Sequence, residues 1–473
     1  MDEAFLMAAP SHHDPGAVET ADRGGAAAAA GRGLLLLLIF STAFMQPAFR
    51  IVGFAAVPTD LVFLPLALAF AAAVLLRQAP WPRAKVYWLL AAYFSAMALS
   101  ALLSGAAGLH MLAKLASQVY LLSLPVIVAG LIRDEDDLRR ALRVWLAGTA
   151  VVGAVCLLTL FLFYFDPGNR LLDRLLFQFG TLPPGDYPRV RLTFLNANML
   201  CNYLTVSLCI LFAAHRLGWV RKTPAAVLLA GTLLAALFTL SPGLGGIFLA
   251  AGIWLWLSRK ETSPSFARLG LAAGVGAAIL FVPAMAFTPI LHPTAPFLIH
   301  VPGTDLVLAP AGRLMIWMEA ARNFLADPVF GRGIGEEVVV VRYLSPSGHL
   351  QRLTDAHNSF LNLAVQCGIV GLAAFLALLA YMARRSLPLS LAGGAMGVAR
   401  VGLGLALLNG FAYQGLGGSF EDSRHLWVLF GLFLAAVRIE RLGSRAAFSR
   451  AGGSRLLTGA SLSSSNAAKR LGR

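Results

Sequence analysis

Apolar positions along this chain fall into long, nearly unbroken runs, with little of the strict alternation or narrow striping of a water-soluble fold. Runs of about 16 to 26 residues recur from one end to the other, the length needed to cross a hydrocarbon layer as a helix. They predict helices over 34–55, 60–77, 87–105, 109–131, 141–165, 194–215, 224–240, 243–258, 267–289, 358–382, 395–416 and 421–438. The expected fold class is therefore all-α, a polytopic membrane protein of about twelve transmembrane helices. Residues 1–32 read as a disordered tail, 33–440 as the transmembrane domain, and 441–473 as a disordered basic tail. Two outer loops stand out by length, about 166–193 and 290–357. The second carries its own amphipathic helix near 309–326, with Leu314, Trp317, Met318, Ala321 and Phe324–Leu325 on one face and Asp327-Pro328 as its stop.

Composition supports this reading. The chain has 473 residues, 58% hydrophobic and 13% charged, about half the charged fraction usual for a soluble domain. The net charge of +15 would fit a nucleic-acid binder, but its placement argues against one. Roughly 26 of the 38 Lys and Arg fall in connections on one side of the predicted membrane, the positive-inside pattern. That pattern places both termini in the cytoplasm. Membrane lipids are expected partners and nucleic acid is not. The cysteines Cys156, Cys201, Cys209 and Cys367 lie in or beside apolar runs and form no C-x-x-C pair, so buried free thiols are expected, with no metal site.

The outer side is unusual in its cations. Apart from Lys114, they are all arginine: Arg50, Arg170, Arg174, Arg189, Arg191, Arg313, Arg322, Arg332, Arg342, Arg352 and Arg424. A guanidinium grips phosphate through two parallel hydrogen bonds. Ion pairing with outer carboxylates such as Glu319 and Asp327 is the competing explanation for many of them. Lys114, near the outer end of the fourth helix, either adds a cation to a site or snorkels to the surface. The cluster Glu421, Asp422, Arg424 and His425 crowds the last outer turn.

One stretch concentrates chemistry. Asp355-Ala356-His357-Asn358-Ser359 leads directly into an apolar run that holds Gly368 and Gly371. Thr354 or Asp355 can cap that helix, and His357 falls where it meets water. The positive helix start favours a neutral imidazole and the Asp355 carboxylate opposes that. A lone interfacial histidine commonly does no more than bond a loop carbonyl, and G-x-x-G alone usually marks close helix packing. Gly331-Arg332-Gly333-Ile334-Gly335 reads as a tight turn, since no strand precedes it and no Lys-Ser/Thr follows.

Taken together, His357-Asn358, nine intervening residues and Gly368-x-x-Gly371 at the head of a late membrane helix resemble the O-antigen ligase and O-antigen polymerase superfamily. Arg313-Leu-Met-Ile-Trp317 matches that family's Arg-x-x-x-Trp pattern, and Arg189-Val-Arg191 precedes a Phe194-Leu-Asn196-Ala197-Asn198 helix start, with Ala197 where the family often has proline. The resemblance implies a glycosyltransferase of the GT-C type in a bacterial inner membrane. Such an enzyme moves a glycan from undecaprenyl diphosphate to an acceptor glycolipid or glycan at the periplasmic face, without metal or other cofactor. It implies His357 as base or acceptor-positioning group, Arg191 and Arg313 on the donor diphosphate with Arg191 favoured over Arg189 as nearer the helix, and Arg189, Arg352 and Lys114 in second rank. Asp355, Asn358, Trp317, Gly368 and Gly371 would support them. A polymerase extending the lipid-linked glycan is the alternative within the same chemistry. A polysaccharide transporter or flippase is the alternative outside it; the polar residues gather at helix heads and not at mid-bilayer, which favours an enzyme.

Overall fold

A computed structural model of the chain describes residues 25–46, 49–51, 54–80, 84–104, 108–176, 188–290, 299–300, 302–303, 307–310, 312–334, 339–344, 350–391 and 394–444. The remaining parts of the expected tails lie outside the described residues.

In chain order the elements are α1 (Ala26–Ser41), β1 (Phe49–Ile51), β2 (Phe54–Ala56), α2 (Pro58–Leu75), α3 (Val86–Leu103), α4 (Leu109–Leu131), α5 (Glu135–Phe165) and the single turn α6 (Leu172–Leu175). Then come α7 (Ala197–Arg216), α8 (Lys222–Phe238), α9 (Leu244–Leu257), α10 (Pro264–Ala286), β3 (Phe287–Ile290), β4 (Ile299–His300), β5 (Val307–Pro310) and α11 (Gly312–Ala326). The chain closes with β6 (Val341–Leu344), β7 (Leu350–Leu353), α12 (Ser359–Ser386), α13 (Ala395–Leu407) and α14 (residues 424–444).

Each expected span falls on a helix. Among the described residues, eight helices are long and apolar enough to cross a membrane: α2, α3, α4, α5, α7, α10, α12 and the Ala395–Leu416 segment; α1, α8 and α9 are apolar but shorter. One expectation needs correction. The first helix begins at Ala26, inside the expected tail, and ends at Ser41, where a span to residue 55 was expected. Its Ala26–Ala30 run has little hydropathy but the highest helix propensity. The fold is mainly helical, as expected, with short strands besides. A hairpin β1–β2, a three-stranded antiparallel sheet in the order β3–β5–β4, and a hairpin β6–β7 occupy stretches between helices.

The centre of the bundle is α7, α13 and α14. Leu200 to Leu211 in α7 and Met396 to Leu407 in α13 are buried on every side. Several of their polar groups are paired, as a dry interior favours. Trp145 Nε1 donates to Ser207 Oγ at 2.9 Å, Asn202 Nδ2 to the Gly410 carbonyl at 3.0 Å, and Gln414 Nε2 to Thr205 Oγ1 at 2.7 Å. All four cysteines are buried free thiols.

Past Leu407, α13 loosens into a π turn at Leu408–Tyr413 and a 3-10 turn at Gln414–Leu416. That unwinding leaves carbonyls free at Leu416 and Gly418, and they accept from the head of α12. Asn358 Nδ2 reaches the Leu416 carbonyl at 3.2 Å, and Ser359 Oγ reaches that of Gly418 at 3.0 Å. The start of α12 is thereby fastened to the centre of the bundle.

Candidate active site

The head of α12 is held by side chains from three segments. Asn358 is its cap: Oδ1 accepts from the Phe360 and Leu361 amides at 3.0 and 3.1 Å. The expected caps, Thr354 and Asp355, do not serve, and Asp355 is engaged elsewhere. Its Oδ1 accepts from the His357 amide at 2.7 Å, from Asn362 Nδ2 at 3.1 Å and from the Ser419 hydroxyl. Asn362 completes the network. Its Oδ1 accepts from the Ala356 amide at 3.1 Å, and its Nδ2 also points to Glu421 Oε1 at 3.0 Å. The result is a tightly braced loop with His357 in a left-handed conformation, φ 48°. Non-glycine residues adopt that conformation at a cost of about 1 kcal/mol or more, and only where the surroundings impose it.

From the other side the loop is gripped by α11. Trp317 Nε1 donates to the Ala356 carbonyl at 2.9 Å. Ile316, Ala320, Val339, Ala356 and Val365 form a small separate core there, with Trp317, Phe324, Val341 and Leu361 packed on it. The face of α11 that packs inward therefore runs through Ile316, Ala320, Asn323 and Phe324. Met318, Ala321 and Leu325, expected on the apolar face, are exposed. The helix caps the head of α12, and Trp317 acts as a clamp on the His357 loop.

Arg313 stands one turn before Trp317 on the same helix. Arg313 acts electrostatically on His357, and both Arg189 and Asp355 act on Arg313. Burial first, then the Arg189 charge, push the Arg313 guanidinium down to about 10, with Asp355 opposing. Burial first, with Arg313 second, also lowers His357 below the usual imidazole value while Asp355 raises it. The sequence set the helix start against Asp355 without deciding between them; burial, which the sequence does not show, is the largest influence and acts toward the neutral form.

Arg189 is brought here by a turn to which the sequence assigned no role. Its Nε donates to the Thr239 carbonyl at 3.1 Å, and the neighbouring Val190 amide donates to that of Phe238 at 2.9 Å. Val190, Leu192 and Phe194 are buried and pin the segment, and Asn196 caps α7 through the Met199 amide at 2.8 Å. Arg191 is directed elsewhere. Its Nε and Nη2 donate to the carbonyls of Arg174 and Asp173 at 3.0 and 2.9 Å. The geometry thus joins Arg313 with Arg189, the reverse of the order expected from distance along the chain.

The remaining cations have separate positions. Lys114 pairs with Asp422, which also accepts from Gln118 Nε2 at 2.5 Å. Arg424 forms a two-pronged pair with Asp60 at 2.5 and 2.8 Å. His425 Nε2 lies 2.7 Å from Asn202 Oδ1. Arg352 is exposed on the β6–β7 hairpin, directly across from Arg342. Sequence reading did not single out Asn362, Ser419 or the Thr239 carbonyl. A buried asparagine in an apolar helix was the available signal for Asn362.

Gly368 and the turn at 328–333 prove to be one device. Gly368 breaks α12 with φ 64° and ψ −164°, a conformation essentially restricted to glycine. The turn enters the gap. Arg332 and Gly333 amides donate to the carbonyls of Val365 and Gln366 at 2.9 and 3.0 Å; Ile369 and Val370 amides donate to those of Pro328 and Val329 at 2.8 and 3.4 Å. Ser100 Oγ adds a bond to the Gln366 carbonyl at 2.5 Å. A Cβ on Gly368 would sit 2.1 Å from the Val329 oxygen, and one on Gly331 would sit 2.5 Å from the Gln366 carbonyl carbon. Gly371 lies buried against Cys367.

Residues 225–376 match a family model described as O-antigen ligase. The match takes in Arg313, Trp317, His357, Gly368 and Gly371, and begins after Arg189. No curated protein matches the chain.

Proposed function

We propose that the chain transfers a glycan from a lipid diphosphate to an acceptor hydroxyl at the outer face of a bacterial inner membrane; the match of residues 225–376 to a family model described as O-antigen ligase, and the eight helices of membrane-spanning length among the described residues, support this reading. The observation that carries this reading is that Arg189 acts electrostatically on Arg313, and Arg313 on a half-buried His357, so the three lie in one charged neighbourhood. Two like charges in a partly dehydrated site form a receptor for a doubly charged anion. A neutral imidazole next to them can accept a proton.

The reaction that fits is a direct displacement. The acceptor oxygen attacks the anomeric carbon, the bond from that carbon to the diphosphate oxygen breaks, and the diphosphate leaves with the electron pair. The anomeric centre inverts. His357 takes the hydroxyl proton, while Arg189 and Arg313 stabilise the charge growing on the leaving group. Asp355 holds the His357 backbone, and Trp317 holds the loop from α11. Undecaprenyl diphosphate is the proposed carrier and a lipid A-core sugar the proposed acceptor.

The test is complementation of a gene deletion in the native host, read as lipopolysaccharide on a silver-stained gel, with each variant's membrane expression verified. His357→Ala is expected to leave bare core and lipid-carried glycan, a loss of about 10²- to 10⁴-fold in transfer. Arg189→Ala and Arg313→Ala should each cost about 10²- to 10³-fold, whereas Arg191→Ala should retain a normal ladder. Core bearing a single repeat unit would make the protein the polymerase instead. An unchanged ladder in His357→Ala would end the catalytic assignment.

A further inference from the structure

At the end of the bundle opposite His357 there is an open, groove-like cavity of about 230 Å³. It is lined by Arg384 and Arg385 from the last turn of α12, Arg400 from α13, Glu440 and Arg441 from α14, and Leu387. Four arginines and one glutamate leave it with a formal charge of +3.

The charges in it do not have equal roles. Arg400 is buried, and its guanidinium is fully occupied. Nε pairs with Glu440 Oε2 at 2.7 Å, and Nη1 donates to the carbonyls of Arg385, Ser386 and Leu387 at 3.0, 2.6 and 3.1 Å. Those carbonyls are the free negative end of α12, which would otherwise repel an anion. Arg400 therefore neutralises both the helix end and the one carboxylate. Arg384, Arg385 and Arg441 remain to set the field inside the cavity. Beside them Leu387 is 58% exposed, an apolar surface at the rim of a cationic pocket.

We propose that this cavity binds the phosphate of an anionic phospholipid, with Arg384 and Arg441 contacting the headgroup and Leu387 touching the acyl region. Basic pockets between membrane helices are suited to such headgroups. Cations that merely set topology need neither a cavity nor a neutralised helix end. The site is independent of the transfer chemistry at the other end of α12.

The full chain, purified in detergent, is titrated with phosphatidylglycerol, phosphatidylcholine or inorganic phosphate, and thermal unfolding is followed. Phosphatidylglycerol should raise Tm saturably and phosphatidylcholine should not. In an Arg384→Gln/Arg441→Gln variant the half-saturating concentration should rise about 10- to 100-fold. Neither substitution touches Arg400 or Glu440, so the lipid-free Tm should be unchanged. Should the double variant fail to fold, Arg384→Gln alone and mass spectrometry of lipids retained by the wild type give the same reading, with anionic lipid enriched over its share in the membrane. Equal responses to the two lipids, or an unaltered response in the variant, would overturn the proposal. Inorganic phosphate matching phosphatidylglycerol at equal concentration would overturn the lipid assignment and leave a free phosphate as the ligand.

Discussion

His357 sits among opposing influences whose signs can be read one at a time. Burial and Arg313 lower its pKa, and Asp355 raises it, with a net shift downward. A base with a lowered pKa stays neutral into more acid solution. The acid limb of the transfer rate should therefore fall below pH 6.5, the ordinary histidine value. Asp355→Asn removes the raising influence and should move that limb further to acid, while Arg313→Gln should move it back toward 6.5. Any stability linked to a neutral His357 has the same sign: it is present above 6.5 and lost as pH falls through the lowered pKa. Initial rates of glycan transfer between pH 4.5 and 8 check all three limbs, and opposite movements would exclude His357 as the titrating base. At this scale the sequence was half legible. The motif around His357 could be seen because His357-Asn358 and Gly368-x-x-Gly371 stand together at the head of one apolar run; the histidine alone has a bland explanation. The choice between Arg189 and Arg191 could not be seen. It depends on the Thr239 and Asp173 carbonyls, which are backbone atoms that no side-chain pattern announces.

Among the elements, long helices were legible and short ones were not. Apolar runs locate α2 to α5 and α7 to α10 to within a few residues, since in lipid a helix is the conformation that satisfies its own backbone. The Ala-rich start of α1 has too little hydropathy to register, and the hairpins β1–β2 and β6–β7 are too short to show a period. The phase of α11 was misread because its packing partner is a loop and not a bilayer: Ala356 and Val365 select Ile316 and Ala320, leaving Met318 outside. The two glycine motifs were visible, but their common purpose was not, because it lies in backbone bonds between segments about 35 residues apart. Gly368→Ala should impose a backbone conformation that alanine rarely adopts and a collision with the Val329 oxygen, at about 3 kcal/mol or more. Protein yield and Tm should fall well below those of a Gly276→Ala control, where a Cβ meets nothing within 4 Å. A variant at position 368 with wild-type Tm would show that the α12 break is not what seats the turn.

For the whole molecule, the rim at the His357 end of the bundle is tied by charge between segments far apart in sequence. Asp60 at the start of α2 grips Arg424 at the start of α14, and Lys114 of α4 grips Asp422 just before α14. Each pair joins an early helix to the turn that also carries Ser419 and Glu421, the latter bonded through Asn362 to the His357 loop. Burial first, then the Asp422 and Asp355 carboxylates, raise the Glu421 carboxyl above its usual range, which favours its neutral form beside the Lys114–Asp422 pair. The Asp60–Arg424 pair is less than a quarter exposed on either side. Breaking it by Arg424→Gln should cost roughly 3 kcal/mol, the lower end for a buried pair. The double variant Asp60→Asn/Arg424→Gln should recover part of that loss, since no lone charge is left. Unfolding midpoints of the singles and the double form the cycle, and strict additivity would mean that the two residues do not act on each other.

The turn seated in the break of α12 has a consequence for how this protein can vary. Its four bonds run between main-chain atoms, so, Gly368 and the core residue Val365 aside, most side chains at 328–330 and 365–370 could be exchanged with little effect on the seam. Chain length has no such freedom. Adding or removing a single residue between 328 and 333 would slide every donor past its acceptor, and the left-handed bend at Gly331 would fall on a residue with a Cβ. Among natural relatives this segment should therefore drift in letters while keeping its length, and a library tolerant of substitutions there should reject almost every insertion.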